Sequence, residues 1–168
     1  MPGTGEPIRT THAGSLPRPK GIADAIWARA EGTEIDEAAL EQQIDASVAE
    51  IVARQQAIGI DYVSDGELSK TGFSTYINER FSGFGGRSEF QADDVADYPD
   101  LAMRLFATPA MAHIVFSNCV GPVELSDKES VHNDVDRLKR ALNGADPASA
   151  FIGAISPGQI AFNYPDQH

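Results

Sequence analysis

The sequence predicts an α/β fold, a parallel sheet covered by helices, and three observations carry that expectation. β-branched or apolar runs alternate with amphipathic helical runs in the order β-α-β-α-β-α-β. More than forty residues separate the first two predicted strands, as a parallel crossover requires. Each predicted strand runs into a polar turn, so the turns gather at one sheet edge, where α/β proteins hold ligands.

The elements follow in order. MPGTGEP (1–7) is Gly- and Pro-rich and is expected to be disordered. IRTTHAG (8–14) has β-branched residues closing on glycine and is expected to be a strand entering a loop. Residues 22–31 place Ile22, Ile26 and Ala30 on one helical face. Residues 36–58 are the clearest helix. Asp36 is its expected N-cap, Glu37 and Glu41 favour its first turns, and Gly59 ends it. Its apolar stripe is Leu40, Ile44, Val48, Ile51, Val52 and Ile58.

IDYVSDGE (60–67) is expected to be the second strand, and residues 71–80 another helix. Residues 81–111 are glycine-rich and then acidic, which suggests a loop insertion with one or two helical turns near its end. AHIVFSNCVG (112–121) is expected to be the third strand and AFIGAISPG (150–158) the fourth. Between them, residues 126–144 form a helix with Val131, Val135, Leu138 and Leu142 as its stripe. Four strands do not close a barrel.

The totals narrow the function. A chain of 168 residues suggests one domain with a real core. A net charge of −12 argues against nucleic acid or an anionic membrane as partner. No apolar run reaches the length of a membrane span. The single cysteine, Cys119, allows no internal disulfide and fits a reducing cytoplasm.

The polar turns hold the candidate site residues. His12, Ala13, Gly14 and Ser15 follow the first strand; Asp65 and Glu67 flank Gly66 after the second. Gly14 serves either a tight turn or the approach of a ligand, and Ser15 either caps the next segment or binds. Asp65 and Glu67 are either solvated turn residues or anionic ligand contacts. His113 and His132 are expected to be scaffold residues. Cys119 is expected to be a small buried residue, because no His or Asp at suitable spacing activates it. GFGG (83–86) lacks the Lys-Ser/Thr of a phosphate loop.

TTHAGSLPRP (10–19) followed by QQAIGIDYVSDGELSK (55–70) resembles the catalytic barrel of cobalamin-independent methionine synthases and their short relatives. That superfamily includes epoxyalkane:coenzyme M transferases. ERFSGF (79–84), NCVGPVEL (118–125) and AISPGQIAF (154–162) are similar in the same order. The resemblance spans residues 8–165 and implies the first half of a TIM (β/α)8 barrel, with residues 8–168 as its partial domain. It implies methyl transfer from a methylated folate to the thiol of homocysteine, without cobalamin.

In the family, the Gly-Ser turn holds the substrate carboxylate and the Gly-Glu turn its amino group. On this sequence those positions are Ala13, Gly14 and Ser15, and Glu67. The family's zinc comes from a His-x-Cys pair, a glutamate and a later cysteine in the second half of the barrel. This sequence contains no His-x-Cys, so no metal ligand is assigned. A half-barrel leaves bare sheet edges, which predicts self-association or a complementary half. A coenzyme M reading instead wants a cation for the sulfonate, from Arg9, Arg18 or Lys70. A third reading is a non-catalytic binding module.

Overall fold

A computed structural model describes residues 8–88, 97–107 and 115–168. The expectation of disorder at 1–7 and the residue His113 lie outside the described residues. The helices and strands are α1 (Lys20–Ala30), α2 (Glu37–Ala57), β1 (Val63–Ser64), α3 (Ile77–Arg80), β2 (Phe81–Gly85), α4 (Pro99–Phe106), β3 (Asn118–Leu125), α5 (Glu129–Ala141), β4 (Ala150–Phe151) and α6 (Pro157–Asn163). A 3-10 turn at Pro147–Ser149 leads into β4. The chain divides into two compact units, residues 1–70 with 129–154, and residues 71–128 with 155–168.

The first unit carries the parallel pairing. β1 and β4 pair in parallel, Val63 opposite Ala150 and Ser64 opposite Phe151. On the other side of the same extended segment, Thr11 makes a parallel bridge with Tyr62. Tyr62 N donates to Thr10 O at 3.0 Å, and Thr11 Oγ1 donates to Tyr62 O at 2.8 Å. The first predicted strand is therefore a single bridge, not a full strand. Arg9 and Thr10 both engage Asp61, which fixes the register of that bridge.

The long helix forms as its sequence dictates. Asp36 Oδ1 accepts from Ala39 N at 3.0 Å, the expected N-cap. At the other end Gly59 takes φ +83°, while Ile60 N donates to Gln55 O and Gly59 N to Gln56 O. That paired pattern satisfies the last helical carbonyls. Leu40, Ile44, Val48 and Val52 of α2 are buried with Ile22 and Ile26 of α1, Val63, Leu68, Leu138 and Leu142. Each such side chain contributes about 1.5–3 kcal/mol of burial. Ile58 lies past the helix end and is exposed, and Ala30 is exposed while Ala23 is buried instead.

Helix α5 keeps only part of its expected stripe. Leu138 and Leu142 are buried, but so are Asp134 and Arg137, while Val131 is exposed. Ion pairing explains this. Arg137 bonds Glu41 and Asp45 of α2, and also Asp134 at 3.2 Å on its own helix. A buried cation is tolerated here because three carboxylates surround it.

The second unit departs from the expected topology. The predicted third strand does not join the parallel sheet. Residues 112–114 lie outside the described residues; residues 115–117 are not strand, and β3 runs from Asn118 and pairs antiparallel with β2, Phe81 opposite Leu125 and Gly85 opposite Asn118. The glycine-rich stretch expected to be loop is therefore β2. Its register shifts between Ser82 and Phe84, at a glycine with φ +90°. Glycine permits that conformation without a Cβ penalty, which is how a strand passes a bulge. The predicted 71–80 helix is reduced to α3, one turn long. The fourth predicted strand stops at Phe151, and Ser156 instead caps α6 by accepting from Gln159 N at 3.2 Å. Tyr76, Ile77, Ile155 and Tyr164 form this unit's core, with Phe81, Phe84, Phe116 and Ile160 against it.

Candidate functional site

The site is built where β1 ends. Gln55 of α2 sits beside that strand and is buried. Its amide donates to Ser64 O at 2.8 Å and accepts from Ser64 N at 3.1 Å. The side chain thus substitutes for a neighbouring strand and satisfies two buried backbone groups. From that anchor the chain turns sharply. Gly66 has φ +64° and Glu67 φ +58°, so a residue with a side chain occupies the left-handed region. Such a conformation persists only where its surroundings over-determine it.

Those surroundings are specific. Glu67 N donates to Asp65 Oδ1 at 3.0 Å. Glu67 O accepts from Arg18 Nη2 at 2.9 Å and from Lys70 N at 3.2 Å. Gly66 O accepts from Leu16 N at 3.0 Å. The Glu67 side chain is 4% exposed, and its Oε2 accepts a hydrogen bond from the Ser15 hydroxyl. A hydroxyl donating to a carboxylate is among the stronger hydrogen bonds a turn can make. The two sequence motifs, fifty-two residues apart, therefore meet through Ser15 and Glu67.

Each expected site residue has a definite place. Gly14, at φ +87°, makes the turn possible, and no atom crowds the space above it. Ala13 and Ser15 are exposed. Ser15 does not cap α1, whose N-cap position is Pro19. Asp65 lies under the turn at 3% exposure and holds the Glu67 amide; burial pushes its carboxyl above the ordinary range. His12 is half-buried, and its Nε2 is buried without a hydrogen-bond partner. Cys119 belongs to the second unit, is half-buried, and turns its Sγ to Gly121 O at 3.6 Å. His132 is exposed on α5.

The sequence offered Lys70 only as a cation for a sulfonate, and its place in a second layer of the turn was missed. Lys70 is 2% exposed, and its Nζ donates to Gly153 O, just past β4. A Cβ placed on Gly153 would lie 3.3 Å from Glu67 Oε1, so that glycine also borders the carboxylate. Ser69 Oγ donates to Asp134 at 2.7 Å. The spacing of Lys70, three residues after Glu67 on a turn, was a legible signal. Gly153 gave none, because nothing local marks a glycine whose neighbour comes from another segment.

Zinc, which the sequence resemblance implies, needs three or four N, S or O ligands around one point. Among the described residues no three His, Cys, Asp or Glu side chains come together in such a set. The described residues do not fit a zinc centre.

No family model matches the chain. A methionine synthase of Sulfolobus acidocaldarius is 35% identical over 77 residues, 46% of this chain and 22% of that protein. A 5-methyltetrahydropteroyltriglutamate–homocysteine methyltransferase of Mycolicibacterium paratuberculosis is 32% identical over 78 residues, 46% of this chain and 10% of that protein. In fold, the chain matches the B12-independent methionine synthase of Shewanella sp. W3-18-1, solved in complex with selenomethionine. The TM-score is 0.67 at 22% identity, covering 95% of this chain and 41% of that one. A B12-independent methionine synthase from Listeria monocytogenes matches with a TM-score of 0.57 at 20% identity, covering 98% of this chain and 41% of that one. The chain thus spans well under half the length of these proteins. The chain is similar in sequence to proteins named methionine synthase over less than half of its length, and it shares the fold of B12-independent methionine synthases over nearly all of it.

Proposed function

We propose that this chain carries the amino-acid-binding part of a methionine-synthase-type methyltransferase, and that its thiol substrate is homocysteine. The observation that carries this reading is the Ser15 hydroxyl on the Glu67 carboxylate, with Glu67 held in a strained left-handed conformation. An anion fixed at a turn suits an ammonium group, and the neighbouring hydroxyl suits a carboxylate. An α-amino acid presents those two groups side by side. Ser15 would turn from Glu67 to the ligand carboxylate, while Glu67 accepts from the ligand ammonium. Gly14 leaves open space for the close approach of the ligand. A relative of the same fold was solved with selenomethionine, which bears the same amine and carboxylate.

In the transfer itself, the substrate sulfur forms a bond to the methyl carbon as the carbon–nitrogen bond of a methylated folate breaks. The donor nitrogen keeps the electron pair and takes up a proton, and the thiol loses one. The residues assigned above bind and orient the amino acid; they do not touch the reacting sulfur. On the same reading, residues 8–168 are part of a (β/α)8 barrel that works with a complementary half or a second copy.

The coenzyme M alternative is less well supported. Each cation it would use is already engaged. Arg9 pairs with Asp61 at 3.1 Å, Arg18 serves the carbonyls of Glu67 and Lys70, and Lys70 serves Gly153. Titration calorimetry with homocysteine and with coenzyme M separates the two. Homocysteine is expected to bind, with affinity falling at least about tenfold in Glu67→Gln as a charged partner is lost. Tighter binding of coenzyme M, or unchanged homocysteine binding in Glu67→Gln, would overturn the reading.

A further inference from the structure

Arg18 lies in the same Pro-flanked loop as Ser15, three residues on, and is half-buried. Its Nη2 donates to two carbonyls of the opposite turn, Glu67 O at 2.9 Å and Lys70 O at 2.6 Å. Its Nε is buried with no hydrogen-bond partner. Burial pushes the guanidinium below its ordinary value, and the Glu67 charge opposes that shift. A cation is thus kept in an unfavourable place, serving backbone atoms rather than a carboxylate. The residues it serves bracket the turn that holds Glu67 in the left-handed region.

Three successive contacts join the two loops. Ser15 donates to the Glu67 side chain, Leu16 N to Gly66 O, and Arg18 to Glu67 O and Lys70 O. Leu16 also sets the floor of the turn: a Cβ on Gly66 would lie 3.0 Å from Leu16 Cβ. Of these contacts, Arg18 is the one that grips the carbonyl of the strained residue itself.

We propose that Arg18 is a positioning residue that clamps the 67–70 turn to the 15–18 loop, aiming the Glu67 carboxylate and so making the site select an amino-bearing thiol acid over its deamino counterpart. The proposal rests on the amino-acid reading of the site. Arg18 touches no ligand in this scheme; it acts through Glu67. Loss of the clamp lets Glu67 relax toward the ordinary backbone region, and its carboxylate leaves the place where the ammonium binds.

The test compares homocysteine with 4-mercaptobutyrate, the same molecule without its amine, by titration calorimetry on the full chain. Wild type is expected to prefer homocysteine by about tenfold or more. In Arg18→Ala that preference is expected to collapse to within about twofold, with 4-mercaptobutyrate affinity nearly unchanged. A merely structural role would weaken both ligands alike. An undiminished preference in Arg18→Ala overturns the proposal. If Arg18→Ala does not fold, Arg18→Lys carries the same comparison, since it keeps the charge and loses the planar fork. A reduced preference then supports the clamp, and a wild-type preference overturns it.

A second readout separates this proposal from the reading beneath it. The side-chain carboxyl ¹³C resonance of Glu67, observed without ligand, is expected to move in Arg18→Ala as it does in Ser15→Ala. If wild type fails to discriminate the two ligands but that resonance moves, the amino-acid reading is wrong and the clamp stands. If the resonance stays in place, the clamp is wrong.

Discussion

The two compact units of this chain solve the same problem with different materials. The first buries aliphatic side chains from three helices against short parallel strands, and gathers its buried charges around one turn and one helix pair. The second pairs two antiparallel strands and packs aromatic rings. Phe84 and Phe116 lie 4.8 and 5.9 Å from the Tyr164 ring, and Arg80 lies over Tyr76. In the first, precision comes from hydrogen bonds and ion pairs to buried polar groups. In the second, it comes from backbone conformation at glycines and from ring geometry. The candidate site lies in the first, where polar groups are already fixed in place.

The sharpest way to break that comparison is to remove a charge from the first unit. Arg137→Ala removes a cation from Asp134, itself buried, releases Glu41 of α2 and leaves Asp45 to Arg140 alone. Breaking one side of a buried ion pair costs about 3–5 kcal/mol. Trp27, on α1 of the same unit, is the chain's single tryptophan, so its fluorescence during urea unfolding reports that loss. A change below about 1 kcal/mol would mean that apolar burial alone sets the stability of the first unit.

The next largest effect belongs to the second unit. At Gly83 φ is +90°, and an added Cβ would lie 2.4 Å from Pro122 O. Gly83→Ala therefore combines left-handed strain with a backbone clash, and is expected to cost about 2–4 kcal/mol. Gly14 in the first unit has nearly the same φ, +87°, but nothing within 4 Å of an added Cβ. Gly14→Ala is expected to cost only about 1–2 kcal/mol, the left-handed strain alone. Thermal melts of the two variants measure the difference. Equal losses would show that conformation, not contact, dominates at both glycines.

The same contrast decided what was legible from residues alone. The Asp36 cap, the Leu40–Val52 stripe and the Gly59 stop follow local rules that the structure keeps. The turn residues Gly14, Ser15, Asp65 and Glu67 stood out because strand ends in α/β sheets collect polar groups. Four parallel strands were too many. β2 was hidden because glycines weaken the alternating pattern that marks a strand, and β3 was expected with other bounds and parallel pairing because its register depends on that partner. Arg137 and Asp134 were hidden differently. A charged residue on a helix reads as solvated until the opposing helix supplies its partners. Arg18 and Gly153 act on Glu67 only through the fold, so no spacing rule could have joined them to it.

The smallest expected effect asks whether the buried charge under the site costs stability. Desolvation raises the Asp65 carboxyl above its ordinary value, although the Glu67 amide and the nearby Lys70 charge pull it down. The folded chain therefore binds that proton more tightly than the unfolded chain does. Between the unfolded value, near 3.9, and the raised folded value, rising pH removes stability. Above that window the penalty is fully present; below it the penalty vanishes. Asp65→Asn keeps the oxygen that accepts from Glu67 N and carries no charge to bury. Its stability relative to wild type is expected to be higher at pH 7 and to converge with wild type as the pH falls below 4. Asp45 on α2 supplies the opposite sign and a control. Burial favours its neutral form, but bonds and charges from Arg137 and Arg140 outweigh that and lower its value. Its contribution is present above the unfolded value and is lost as pH falls through the lowered one. Asp45→Asn should therefore lose stability at pH 7 and approach wild type only in stronger acid. If both variants move the same way with pH, the Asp65 charge is not a burden on the fold. The Glu67 amide and the nearby Lys70 would then offset the desolvation of the Asp65 carboxylate.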